Sequence, residues 1–113
     1  MLQYHEPVEI LDEKTKNITR AINSLREELE AVDWYNQRVQ ATEDLELKAI
    51  MAHNRDEEIE HACMAIEWLR RNMDKWDDEL RTYLFAEGSI TAAEENQGEE
   101  TKKSSGITIG DLK

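Results

Sequence analysis

Glu58-Ile59-Glu60-His61 decides how this chain is read. Three residues along a helix is close to one turn, so the Glu58 carboxylate and the His61 imidazole stand on the same face. Apart from Asn54, that face is otherwise apolar. Leu47, Ile50, Met51, Asn54, Glu58, His61, Ala62, Ala65 and Leu69 share one stripe at helical spacing. Thr42 is the candidate N-cap of this helix, with Glu43 and Asp44 in its first turn. Arg70 and Arg71 suit its C-terminal end. Asn72 is a candidate cap for a shorter third helix carrying Trp76, Leu80, Tyr83 and Leu84. The pattern leaves open whether the second helix breaks there or runs on.

Upstream, a first helix is expected from Pro7 to Val39. Pro7 suits a first helical position. Ile18, Ile22, Leu25, Leu29, Val32 and Val39 form its stripe, which Leu11 extends. Downstream, composition changes at Gly88. Glu94-Glu95-Asn96-Gln97-Gly98-Glu99-Glu100 and Lys102-Lys103-Ser104-Ser105-Gly106 are too polar to build a core. The expected organisation is a helical domain over 1–87, a disordered linker over 88–106 and a short apolar segment over 107–113.

The fold expected is all-α: an antiparallel two-helix hairpin plus a short C-terminal helix. Such a hairpin leaves one apolar face uncovered, and a folded part of this size buries little surface. Dimerisation into a four-helix bundle is therefore expected on packing grounds alone.

The 113 residues carry a formal net charge of −12, which argues against a nucleic-acid partner. No apolar run is long enough to cross a bilayer. The start Met1-Leu2-Gln3-Tyr4-His5-Glu6-Pro7 is neither basic nor apolar, so no signal peptide is expected. The single Cys63 forms no internal disulfide, and a reducing cytoplasm is the expected compartment.

On the first helix, Glu28 falls at the margin of the apolar arc, among Ala21, Val32 and Tyr35. Glu28, Glu58 and His61 thus all point at an interior or an interface. A buried unpaired carboxylate costs several kcal/mol, and a bound cation compensates it directly. Carboxylates with one imidazole suit iron or manganese. Di-iron bundles combine two Glu-x-x-His pairs with further Glu residues on facing helices. One chain supplies half of such a set, so two copies are needed. The plainer alternative is that Glu58 pairs with Arg55 while His61 is an ordinary core histidine. Glu27, Glu30 and Trp34 lie opposite the stripe, where spacing alone favours a solvated charged face. His5 and His53 read as bystanders.

Several blocks resemble the encapsulated ferritins, a two-helix branch of the ferritin-like superfamily. They are Glu27-Glu28-Leu29-Glu30-Ala31-Val32-Asp33-Trp34-Tyr35, His53-Asn54-Arg55-Asp56-Glu57-Glu58-Ile59-Glu60-His61-Ala62, Glu67-Trp68-Leu69-Arg70-Arg71 and Arg81-Thr82-Tyr83-Leu84-Phe85, with His5-Glu6-Pro7 also fitting. The resemblance implies a ferroxidase that oxidises Fe(II) with O₂ at a di-iron site between two subunits. Its iron ligands correspond to Glu28, Glu58 and His61, with Tyr35 close by. Glu27, Glu30 and Trp34 correspond to an ion-uptake or accessory metal site, with Ca²⁺ a candidate ion there. The resemblance also implies a ring-shaped decamer of five dimers working inside an encapsulin nanocompartment. Family members end in a shell-docking peptide resembling Leu-Gly-Ile-Gly-Ser-Leu, matched here by Ile107, Thr108, Ile109, Gly110, Asp111 and Leu112. Ile107, Ile109 and Leu112 would dock. Thr108 and Asp111 depart from the pattern, and Asp111 puts a charge into the segment. The rival reading is a non-catalytic helical module that binds a metal or a partner helix without turnover.

Overall fold

The computed structural model describes residues 4–95. The described residues divide into two compact units, one ending at Met73 and the other beginning at Asp74.

The first unit is an antiparallel hairpin of α1 (Glu13–Ala41) and α2 (Leu45–Asn72). The N-terminal boundary differs from the expected Pro7. Pro7 instead precedes a 3-10 turn at Val8–Ile10, and Leu11 is extended. α1 starts only after Asp12, whose side chain accepts the Thr15 N–H at 2.8 Å. A carboxylate cap satisfies an amide that the first turn leaves without a partner, and this outweighs the helix-starting tendency of the proline upstream. Leu11 accordingly contributes nothing to the helical stripe.

The cap of the second helix also differs. Thr42 terminates α1, donating its hydroxyl to the Arg38 carbonyl at 2.6 Å. Asp44 caps α2 by accepting the Leu47 N–H at 2.8 Å. Two caps fit into so short a connection because each serves a different helix end. α2 does break near Asn72. Met73 is extended and closes the helix with its N–H on the Leu69 carbonyl.

The two long helices share a narrow core. Leu25, Ala62 and Leu69 are buried, and all three belong to the expected stripes. The rest of each stripe is less covered. Ile22, Leu29, Leu47 and Ile50 remain exposed, Leu29 by 53%. The reason is geometric. Two helices touch along one line, so only the central row of a wide apolar arc is covered. No helix among the described residues is long and apolar enough to cross a membrane.

The second unit contains α3 (Asp74–Tyr83), which carries Trp76 and Leu80 as expected, while Leu84 lies just past its end. Gly88 takes a left-handed φ of 79°, and a 3-10 turn follows at Ile90–Ala92. That turn, with the buried Ala93, falls within the stretch expected to be linker, whose first residues thus carry local structure. Residues 96–106 of the linker and the segment 107–113 lie outside the described residues.

Candidate metal centre

Polar contacts between α1 and α2 mark the register of the hairpin. Arg55 donates from Nη1 to Asn36 Oδ1 at 3.1 Å. About two turns further along, Glu28 on α1 meets His61 on α2. This register brings the three ligand candidates together. One ligand atom each from Glu28, Glu58 and His61 lies within 4.8 Å of the other two. Glu28 and Glu58 are half-buried. His61 is exposed, its side chain retaining 44% of its accessible surface. The group therefore sits at the open margin of the hairpin and not in a closed interior.

The distances show what the cluster lacks. His61 Nδ1 is 3.6 Å from Glu28 Oε2 and 3.7 Å from Glu58 Oε2. Both are too long for hydrogen bonds. Bonds of roughly 2.0–2.2 Å place two donors of one ion at most about 4.3 Å apart. The imidazole already stands within that limit of both carboxylates. The set as a whole spans up to 4.8 Å, so its widest pair would have to close for one ion to be held. Two carboxylates and an imidazole suit iron, manganese or zinc by donor type, and the absence of thiolate from the set favours the harder ions.

The plainer alternative for Glu58 fails. Arg55 does not pair with it. The guanidinium binds Asn36 and, through Nε, Asp56 Oδ1 at 3.0 Å. Asn36 carries no sequence signal as a site neighbour, because a partner 19 residues away is defined only by the hairpin register.

Tyr35 is half-buried on α1, about two turns from Glu28, and the Arg38 guanidinium lies over its ring at 5.0 Å. Glu27, Glu30 and Trp34 are all exposed on α1, Trp34 by 51%. Among the described residues no third acidic, histidine or cysteine side chain joins Glu27 and Glu30 into a ligand group. His53 forms an exposed pair with Glu57 at 2.9 Å, one turn along the helix. Ile107, Ile109 and Leu112 lie outside the described residues.

An antiparallel helical hairpin with a cluster of carboxylate and imidazole donors at its open margin fits a ferritin-like class of protein. Comparison with known sequences and structures agrees. The sequence profile of the EncFtn-like family matches residues 3–87. The "Encapsulated ferritin-like protein" of Rhodospirillum rubrum is 68% identical over 90 residues. That match covers 80% of this chain and 64% of the relative, so it spans less than two thirds of the relative's length. The "Ferritin-like protein" of Thermotoga maritima is 56% identical over 110 residues, covering 97% of this chain and 93% of the relative. The crystal structure of protein ne0167 from Nitrosomonas europaea superposes with a TM-score of 0.75 at 60% identity, covering 77% of this chain and 96% of that one. The chain belongs to the EncFtn-like family. Membership supports an iron-related, ferritin-like function, and the Glu28, Glu58 and His61 donor set is chemically suited to iron.

Proposed function

We propose that the protein is a ferroxidase. Two hairpins pair through their exposed apolar faces, and each contributes Glu28, Glu58 and His61 to a shared site for two Fe²⁺ ions. The observation that carries this reading is the convergence of those three donors at an open margin, within 4.8 Å of one another. Glu28 and Glu58 of each chain would hold the ions as anionic oxygen donors, with His61 as the nitrogen donor. The carboxylates neutralise the incoming charge. Each Fe²⁺ gives up one electron, and O₂ takes both and leaves with two protons as hydrogen peroxide. Family resemblance supports a place for Tyr35 near the site in the paired assembly. Glu27, Glu30 and Trp34 form an acidic approach that gathers cations, Ca²⁺ among the candidates.

The assembly extends to a ring of five dimers inside an encapsulin compartment of the cytoplasm, where the oxidised iron is stored. The description of the Rhodospirillum rubrum relative as encapsulated supports that location. Ile107, Ile109 and Leu112, tethered by a polar linker, dock on the shell as a short extended peptide.

Native mass measured with and without Fe²⁺, together with metal per subunit, tests the site. The expected result is a dimer or a larger even assembly holding two irons per subunit pair. An assembly without stoichiometric metal would instead identify an interaction module. Bound iron without steady-state oxidation would identify a carrier. Separately, removing residues 107–113 should leave iron oxidation intact and abolish packaging. Packaging that survives the deletion would refute the docking role.

A further inference from the structure

We propose that Asn36 is a positioning residue that holds the Arg55 guanidinium away from Glu58, and so keeps that carboxylate open to a cation. The inference rests on the metal-site reading above. Arg55 and Glu58 are three residues apart on α2, a spacing at which opposite charges meet on a helix surface. Helical side chains lean towards the N-terminus, so Glu58 leans towards Arg55. Yet among the described residues Glu58 lies 3.7 Å from the His61 imidazole and forms no ion pair with Arg55. Two acceptors divert the arginine. Asp56 takes Nε at 3.0 Å and Asn36 takes Nη1 at 3.1 Å.

The two acceptors differ in kind. Asp56 is the adjacent residue and well exposed, so solvent screens its pull. Asn36 reaches across from α1 and fixes the direction in which the guanidinium points. It is neutral, so it orients Arg55 without adding a negative charge that would compete for the incoming ion. Without the Asn36 acceptor, Arg55 keeps one weak partner and can turn onto Glu58. A guanidinium on that carboxylate occupies lone pairs a metal needs and repels the metal's charge.

The test uses the full chain and Mn²⁺, titrated calorimetrically at neutral pH and one protein concentration, with native mass and far-ultraviolet circular dichroism recorded for each variant. Asn36 is exposed, so its replacement does not threaten the core. Asn36→Ala should weaken Mn²⁺ binding roughly three- to fivefold. Asn36→Gln, which keeps a neutral acceptor for Arg55, should bind like the wild type. The decisive variant is the double one. Asn36→Ala combined with Arg55→Gln should return the affinity to within about twofold of wild type, because the competitor is gone. Wild-type binding by Asn36→Ala would overturn the proposal. So would a double variant as weak as the single one, since the loss would then come from the helix register. Glu58→Ala serves as the control. If it binds Mn²⁺ as tightly as the wild type, the metal-site reading itself falls, and the proposal with it.

Discussion

Two carboxylates on α2, nine residues apart, have opposite fates. Glu67 is enclosed by arginines of its own helix. Arg70 donates to it from Nε at 2.7 Å and from Nη2 at 2.9 Å, and Arg71 donates from Nε at 2.6 Å. These hydrogen bonds hold its pKa down to about 2. Glu58 receives no such closure. Arg55 is engaged elsewhere, and Glu58 faces a second carboxylate, Glu28, and an imidazole beyond hydrogen-bond range. One carboxylate is completed by arginines of its own helix, and the other stands in a group of potential metal ligands. The difference lies in the residues one turn downstream. Arginines at three and four positions after Glu67 fall on its own face, whereas His61 and Ala62 hold those places after Glu58.

The strongest way to break this contrast is to remove the open donors. Glu58→Ala or His61→Ala should reduce steady-state Fe²⁺ oxidation by about a hundredfold or more while helicity stays unchanged. Oxidation by both variants at the wild-type rate would refute the ligand assignment. A feature that the helix satisfies locally should behave differently. Asp44→Ala removes the cap of α2 and should lower folding stability by about 1 kcal/mol, read from denaturant unfolding, with iron oxidation at room temperature retained. The smallest effect should come from Glu67. Because its folded pKa is depressed, its contribution is fully present above an unfolded value near 4.5 and is lost as pH falls towards about 2. The Arg70→Ala, Arg71→Ala double variant should flatten that part of the melting-temperature profile below pH 4.5 and leave oxidation at neutral pH unchanged. A profile identical to wild type would show that the network adds nothing to stability.

Much of the fold was legible from spacing. The apolar stripes of α1 and α2 located both long helices, and the shared core residues Leu25, Ala62 and Leu69 all lie on them. Helix ends were less legible. Thr42 and Asp44 are both good capping residues, and only the hydrogen bonds show that one closes α1 and the other opens α2. Pro7 carried a helix-starting signal, yet the chain spends it on a 3-10 turn and leaves the start of α1 to the Asp12 cap. For the site, Glu58 and His61 could be paired from sequence because one helical turn relates them. Adding Glu28 needed the assumption that α1 packs in a particular register. Spacing allowed either an interior or an interface for the cluster, and the packed hairpin leaves it at an exposed margin because two helices cover only one line of contact.

By itself the sequence determined the periodic features. These are two amphipathic helices, an acidic chain, and a Glu-x-x-His pair on the apolar side of the second helix, the helical ones all consequences of a fixed step of about 100° between residues. Tertiary structure alone decided which residues 19 or more positions apart would meet. Asn36 reached Arg55, and Glu28 reached His61, because the antiparallel packing of α1 on α2 sets a register that no local spacing encodes.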